Sequence, residues 1–362
     1  MFSNRDVLIW LNHIGISNRN IRALYNSLEN ISEIWDLDRN KLDALKIIQR
    51  PVIDKIVKHR NNKALEEVIN ELQEKEIKVY TIEDDKYPKR LKYIDDKPLV
   101  LYSKGDYIED ELTIAIVGSR KATAYGKWAC GKFAKELSKL GITIVSGLAQ
   151  GIDTIAHDVA LEEGTKTIGV LGNGIDIIYP KKNISLYKKM EDKGCILTEF
   201  PLGTQPLSYN FPQRNRIISG LSLGIVVIEA QEKSGSLITA HHGLEQGKDV
   251  FALPGNINSI YSGGTNKLIK DGAIPLLEID DILEGVFELK NLKIEKKKKS
   301  LDYSEFSDDE IKIIELLKDE PAHSDILTIK TGYNISTVMG ILTGLELKGI
   351  IKELSRNIFT LS

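Results

Sequence analysis

A chain of 362 residues exceeds the ~100–200 residues of an ordinary domain, so more than one domain is expected. Its 42% hydrophobic and 28% charged residues are those of a folded globular protein, and a net charge of −3 excludes a strong overall field for nucleic acid, so any polyanion must be met by cations gathered locally. Two cysteines far apart, Cys130 and Cys195, exclude a disulfide framework and a Cys-rich zinc site and point to a reducing compartment.

The opening Met1–Asp6 carries Arg5 and Asp6 before a short apolar stretch and has no small-residue cleavage site, so no secretory leader is expected. No apolar run is long enough to span a bilayer, and a cytoplasmic location without membrane association is the expectation. Residues 1–75 read as helical. Val7, Leu8, Leu11 and Ile14, then Ile21, Leu24, Tyr25 and Leu28, recur at helical spacing around Gly15, with Ser17 or Asn18 as a cap. This is the pattern of a SAM-like or helix-hairpin-helix unit, and equally of a small bundle with a structural role.

From residue 76 to 288 short apolar runs alternate with helical stretches. Strands are expected at Ile77–Ile82, Leu99–Tyr102, Thr113–Val117, Ile142–Val145, Thr167–Leu171, Gly224–Ile228 and Val250–Leu253. Helices are expected at Gly126–Leu140, Ile152–Glu163 and Leu237–Gln246. Continuous apolar strands between helices imply βαβ units: an α/β, Rossmann-like, mainly parallel sheet. Residues 289–304 form a lysine-rich linker with Lys296-Lys297-Lys298-Lys299. Residues 305–362 read as three helices, Asp308–Leu317, His323–Lys330 and Ser336–Lys348, and a hairpin within Ile350–Leu361, a winged-helix pattern. Its third helix carries Glu346 and Lys348 but no arginine, so an accessory or protein-contact role is expected of it rather than base reading.

Chemistry concentrates at the strand ends, where an open parallel sheet binds ligands. Gly118-Ser119-Arg120 offers a close backbone approach, a hydroxyl and a guanidinium fork. Ser146-Gly147 begins a run of small residues before a helix, an anion cradle in which Asp153 is expected to cap the helix and His157 to be a hydrogen-bonded structural histidine. Gly172-Asn173-Gly174 lacks the third glycine of a dinucleotide fingerprint, since Ile177 stands there. Gly126-Lys127 and Gly247-Lys248 lack the following Ser or Thr of a phosphate loop, so neither a nicotinamide cofactor nor a P-loop nucleotide is expected. In Phe211-Pro212-Gln213-Arg214-Asn215-Arg216, placed before an apolar helix, two arginines offer planar donors to phosphates and Phe211 a stacking face. The same residues equally suit arginines bridging carboxylates with Phe211 in the core. Ser234-Gly235-Ser236 opens a further helix as an anion site or as plain N-caps. No acid–base pair, metal cluster or nucleophile–base pair is visible. The expectation is a phosphate-binding crest without catalysis, cofactor or metal.

These motifs, in this order and continued by Tyr179-Pro180, Ile217-Ile218-Ser219-Gly220-Leu221-Ser222, Leu237-Ile238-Thr239-Ala240 and Pro254-Gly255, resemble the DprA/Smf family over roughly residues 77–285. The resemblance implies an extended Rossmann-like domain binding single-stranded DNA in a basic pocket. It also implies protection of incoming DNA in natural transformation, loading of RecA for homologous recombination, and a homodimer. It assigns phosphate contact to Arg120, Arg214 and Arg216 and cradle roles to Ser119, Ser146, Gly147 and Ser234–Ser236. Gly118, Phe211, Asn215 and Lys248 join the expected DNA-binding set. The chain departs from the family at Lys248, where many members have arginine, at Gln213, where a basic residue is frequent, and at His241-His242-Gly243. The alternatives are a Rossmann-like enzyme or sensor for a small nucleotide, favoured by Glu229 near Ser234-Gly235-Ser236, and a hub that recruits a recombinase.

Overall fold

The computed structural model describes residues 2–105, 107, 112–292, 306–319 and 321–361. It forms two compact units, Met1–Lys293 and Ile294–Ser362. The first unit holds a nine-stranded sheet: β1 Lys78–Thr81, β2 Val100–Gly105, β3 Thr113–Val117, β4 Thr143–Ser146, β5 Thr167–Val170, β6 Cys195–Thr198, β7 Gly224–Val227, β8 Asp249–Ala252 and β9 Ile274–Pro275. Their order is β1-β2-β6-β5-β4-β3-β7-β8-β9. The run from β6 to β9 is parallel, and β1 and β2 pair antiparallel on one edge. Strand β3 shows why the apolar runs become strands: all five of its residues are buried, as a parallel strand covered on both faces requires.

Alternate residues feed two cores. Ile114, Ile116, Ile144 and Val226 face one layer, with Phe133 and Leu137 of one helix, Ile152 of another, and Ile282 and Leu283 of a third. Ala115, Val117, Val145 and Val227 face the other, with Ile217, Ile218 and Leu221, and with Leu237 and Ala240. The chain runs from β3 outward to β6, returns to β7 beside β3, and continues to β9. The strand order therefore reverses between β3 and β7, and a crevice opens there beyond their carboxyl ends. Strands β6 and β9 and the helix Ile184–Lys193 go beyond the expected set. β6, whose four residues are all buried, follows a lysine-rich helix with only Gly194 between them.

Five helices precede the sheet: α1 Asn4–His13, α2 Asn18–Tyr25, α3 Arg39–Ala44, α4 Arg50–His59 and α5 Asn62–Glu74. Gly15 turns at φ +71°, and Ser17 caps α2 by accepting the Asn20 N–H. These helices do not close a core of their own. Val7, Leu8, Leu11 and Leu24 belong to one cluster with Leu99, Val100 and Tyr102 at β2 and Ile196 of β6. The Tyr102 hydroxyl donates to Oδ1 of buried Asn12 at 2.8 Å, and Asn12 Nδ2 donates to the Glu199 carbonyl at 3.1 Å.

The sheet helices are α6 Ala124–Lys139, α7 Ile152–Glu162, α8 Ile184–Lys193, α9 Asn210–Leu221, α10 Gly235–Glu245, α11 Gly263–Lys270 and α12 Ile279–Gly285. In the second unit α13 Asp308–Asp319, α14 Ser324–Thr331 and α15 Ile335–Leu347 pack with a three-stranded sheet of β10 Ala322–His323, β11 Ile351–Ser355 and β12 Ile358–Leu361. Ile313, Ile314, Leu327, Val338, Leu342 and Phe359 form its core. This is a winged-helix unit. Of the linker, residues 293–304 lie outside the described residues. Among the described residues no helix is long and apolar enough to cross a membrane.

Removing the Tyr102 hydroxyl leaves a buried amide short of a partner. Tyr102→Phe should lower the unfolding free energy by about 1–3 kcal/mol. Because the core is shared, helices α1–α5 and the sheet should lose stability together, which hydrogen exchange followed by mass spectrometry reads segment by segment.

Candidate nucleic-acid interface

The crevice is a cavity of about 640 Å³ lined by the ends of β3 and β7 and the first turns of α9 and α10. Its β3 wall is Gly118-Ser119-Arg120-Lys121. Gly151 holds this wall down. It stands at φ +85°, and a Cβ on it would meet the Ser119 carbonyl oxygen at 2.3 Å. The Ile152 N–H, next in sequence, donates to that same carbonyl at 3.2 Å. Ser119 Oγ accepts the Lys121 N–H at 3.1 Å, and Arg120 and Lys121 are exposed.

The β4 loop is arranged differently from the expected open cradle. The Gly147 and Ala149 N–H groups donate to Oδ2 of Asp153, at 3.2 and 3.3 Å. The cradle thus holds the protein's own carboxylate, and Asp153 anchors the preceding loop instead of capping α7, whose N-cap is Gly151. Burial pushes the Asp153 carboxyl up, against the pull of the Arg214 charge and the two backbone donors. Ser146 is fully buried and donates to the Ile116 carbonyl at 2.6 Å, so it ties β4 to β3 and does not meet a ligand.

Residues 210–221 form the single helix α9, so Phe211, Arg214 and Arg216 are helical and do not precede the helix. In a helix two residues of spacing turn a side chain by about 200°. Arg214 and Arg216 accordingly leave on opposite faces. Arg214, one turn after Phe211, reaches under the crevice floor. Its Nη1 donates to the carbonyls of Gly147 (2.9 Å) and Val170, and its Nε to Asn215 Oδ1 at 3.2 Å. Burial lowers its pKa to about 10, and it remains a fixed cation at neutral pH. Arg216 instead grips both carboxylate oxygens of buried Glu199 at 2.7 Å each and Asp96 at 3.1 Å. It is a structural ion pair and does not contact a ligand in the crevice. The carboxylate-bridging reading holds for Arg216.

Phe211 is half-buried. The guanidinium of Arg120 lies 5.4 Å from its ring centroid and that of Arg214 5.9 Å. The Tyr179 ring lies 5.6 Å away at 33°. Gly172 makes room, because a Cβ there would be 2.7 Å from the Phe211 ring. Across the crevice Asn215 Nδ2 donates to the Gly235 carbonyl at 3.1 Å. Ser234 is the N-cap of α10, and its hydroxyl lies 2.8 Å from that of Ser236. Lys248 is elsewhere. Its ammonium donates to the carbonyls of Ser219 (2.6 Å), Gly220 (3.0 Å) and Ser222, capping the C-terminal end of α9, and burial with Arg90 nearby lowers it to about 8.

The structure therefore brings together Gly118, Ser119, Arg120, Gly147, Phe211, Arg214, Asn215, Ser234, Gly235 and Ser236 around the crevice, and leaves out Ser146, Arg216 and Lys248. It adds Lys121 and Tyr179. Tyr179 stands in the Tyr179-Pro180 motif, which carried no chemical signal of its own. Glu229 takes the Thr123 N–H at 3.0 Å and the Thr123 hydroxyl, fixing the start of α6, and is not a carboxylate presented to a nucleotide. Among the described residues no group of three or more His, Cys, Asp or Glu stands together as a metal site.

A doubly wound sheet whose crevice joins cations to an aromatic ring, followed by a winged helix, defines a Rossmann-like protein with a C-terminal winged-helix unit. The family model for DNA recombination-mediator protein A matches residues 78–287, and that for the DprA winged helix domain residues 298–355. The chain belongs to the DprA/Smf family. It is 36% identical to protein Smf of Escherichia coli over 356 residues, covering 96% of this chain and 93% of that one. It is 44% identical to the DNA processing protein DprA of Bacillus subtilis over 226 residues, 62% of this chain and 76% of that one. Among solved structures, DprA from Streptococcus pneumoniae aligns with a TM-score of 0.68 at 34% identity, over 79% of this chain and 98% of the other. DNA processing protein A from Helicobacter pylori, described for its single-stranded DNA binding mode, aligns at 0.53 and 32% identity, over 61% and 97%.

Two outcomes follow from the buried groups. Arg216→Ala leaves the Glu199 carboxylate buried and with Asp96 beside it, so denaturant unfolding should show a loss of about 3–5 kcal/mol. Arg216→Met combined with Glu199→Leu should recover much of that loss.

The second concerns His157. Its Nδ1 lies 2.7 Å from Thr167 Oγ1, whose only proton goes to the Ile144 carbonyl, so Nδ1 carries the donor proton. Burial, with Arg214 adding to it, lowers this histidine to about 3 from 6.5. The native state keeps it neutral while the unfolded chain protonates it below pH 6.5. Its stabilising contribution is therefore whole above pH 6.5 and is lost as pH falls toward about 3. Between pH 8 and pH 5 the loss should be about 2 kcal/mol. Urea midpoints should show that His157→Gln flattens this part of the profile.

Proposed function

We propose that the crevice binds single-stranded DNA, with bases stacked on Phe211 and phosphates met by Arg120, Lys121 and the fixed charge of Arg214. The observation that carries this is the Phe211 ring lying within 6 Å of both guanidinium centres, beside Tyr179, at the point where the strand order reverses. An aromatic face next to cations suits unstacked bases with their backbone, independent of sequence. The Helicobacter relative, described for binding single-stranded DNA, supports it.

In the same reading the chain is a DNA-processing protein of natural transformation that protects incoming strands and hands them to RecA as a cytoplasmic homodimer. Gly118, Ser119, Gly147, Asn215 and Ser234–Ser236 shape the crevice. The Rossmann-like domain at 76–288 does the binding, the helices of 1–75 support it, and the winged helix of 305–362 is accessory beyond the linker at 289–304. The protein is not an enzyme. The Ser119 hydroxyl takes a backbone N–H, Ser234 and Ser236 bond to each other, and His157 is buried against Thr167, so among these described residues no base stands ready to activate a nucleophile.

Fluorescence anisotropy with a labelled oligothymidylate across a salt series tests this. Three cations imply a slope of log K against log salt near about −2, since each phosphate neutralised on a single strand contributes about −0.7. Arg120 is exposed, so Arg120→Ala keeps the fold. It should weaken binding about tenfold and make the slope shallower by about 0.7. A flat salt response, or an Arg120→Ala variant that binds as well as the native chain, would overturn the proposal.

A further inference from the structure

Helix α6 starts at the crevice rim, where Thr123 caps it and holds Glu229. Two large aromatic side chains stand uncovered on its first turns. Tyr125 is 46% exposed and Trp128 55%. Their rings stack at 6.0 Å with 26° between planes. The pair is held in place: the Tyr125 hydroxyl donates to the Pro254 carbonyl at 3.1 Å, and Lys132 Nζ lies 5.8 Å from the centre of the Trp128 ring. Lys121, which lines the crevice, precedes the pair, Lys127 stands between the two rings in sequence, and Lys132 follows on the helix. The Glu229 carboxylate lies against Gly126 and is bonded to Thr123, and Glu163 faces Lys135 at 3.8 Å.

We infer that Tyr125 and Trp128 form a second stacking platform, on which a single strand leaving the crevice over Lys121 lays one or two further bases. This rests on the single-stranded DNA reading of the crevice. Two features favour nucleic acid as the occupant over protein. Lysine is depleted in protein–protein interface cores, whereas here lysines flank the rings. A basic track with aromatic faces spaced along it is the arrangement that follows a single strand. The platform is also continuous with the crevice, because the α6 cap is built on Glu229, two residues beyond the end of β7, so the two aromatic sites flank the same cationic wall of Arg120 and Lys121.

The native chain carries its own reporter. Trp10 is buried, Trp35 is half-buried and bonded to Asn62, and Trp128 is the exposed indole. The full-length chain is titrated with oligothymidylates of about 5 and about 20 nucleotides, lengths that bracket the site sizes usual for single-strand grooves. The long oligonucleotide should quench tryptophan emission and the short one should not. Trp128→Ala should weaken the long oligonucleotide about tenfold and the short one less than about twofold, so that the gain from length shrinks. Trp128→Phe should lose the quench and keep long-strand affinity within about twofold, since a phenyl face still stacks. If Trp128→Ala binds both lengths like the native chain while Arg120→Ala weakens both, the platform is overturned, the crevice stands, and the exposed pair belongs to a protein contact. If Arg120→Ala changes neither length, the crevice reading fails and takes this inference with it.

Discussion

A buried carboxylate and a buried guanidinium, Asp153 and Arg214, converge on Gly147. A Cβ at that position would lie 2.8 Å from one and 2.6 Å from the other. Two charges withdrawn from water are tolerated only when their remaining donors and acceptors are satisfied. Here they are satisfied by backbone. Asp153 takes the amides of Gly147 and Ala149, and Arg214 gives to the carbonyls of Gly147 and Val170. The pair therefore fastens the β4 loop, the end of β5, helix α7 and helix α9 to one another. The crevice is walled by elements that have no separate freedom, and it carries a positive charge that needs no reorganisation when an anion arrives.

That arrangement divides labour between two arginines near one ring. Arg214 is fixed and neutralised in part by Asp153, so it sets a potential more than it makes a contact. Arg120 is exposed, its guanidinium lies over Phe211, and it follows a loop pinned by Gly151. It is the arginine of the two that stands exposed to solvent at the crevice. The small residues around them follow from this crowding. Gly147 admits the Asp153 and Arg214 side chains, Gly172 admits the phenyl ring, and Gly151 admits the Ser119 carbonyl.

Much of this was legible in the chain. Strand ends that combine glycine with hydroxyls announce close backbone approach, and β3, β7 and the turns after them lie where the apolar runs place them. What could not be read was which cation is free. The Arg214-Asn215-Arg216 segment was expected ahead of a helix, where both arginines would reach one side; inside α9 their spacing separates them, and Glu199, at the end of the unrecognised strand β6, claims Arg216. Lys248 has the same history. The family resemblance placed it in the DNA-binding set, but three orphan carbonyls at the end of α9 take it first. Ser146 was lost to a backbone carbonyl of the neighbouring strand, a partner that only the parallel register supplies. Partners distant in sequence decided each case.

The N-terminal helices gain a role by the same reasoning. Asn12 of α1 bonds the Tyr102 hydroxyl on β2 and the Glu199 carbonyl beyond β6. The Glu199 carboxylate bonds Arg216 on α9. One turn and one face away, α9 carries Phe211 and Arg214 into the crevice. A continuous line of buried hydrogen bonds thus runs from the first helix of the chain to the helix that presents the ring. Helices that share a core with the sheet and end on Glu199 act as a buttress for α9, which accounts for their lack of a closed core of their own. The accuracy with which Phe211 meets Arg120 then depends on residues remote from the crevice, and Arg216, to which the family resemblance assigns a phosphate, instead holds that helix in place through Glu199.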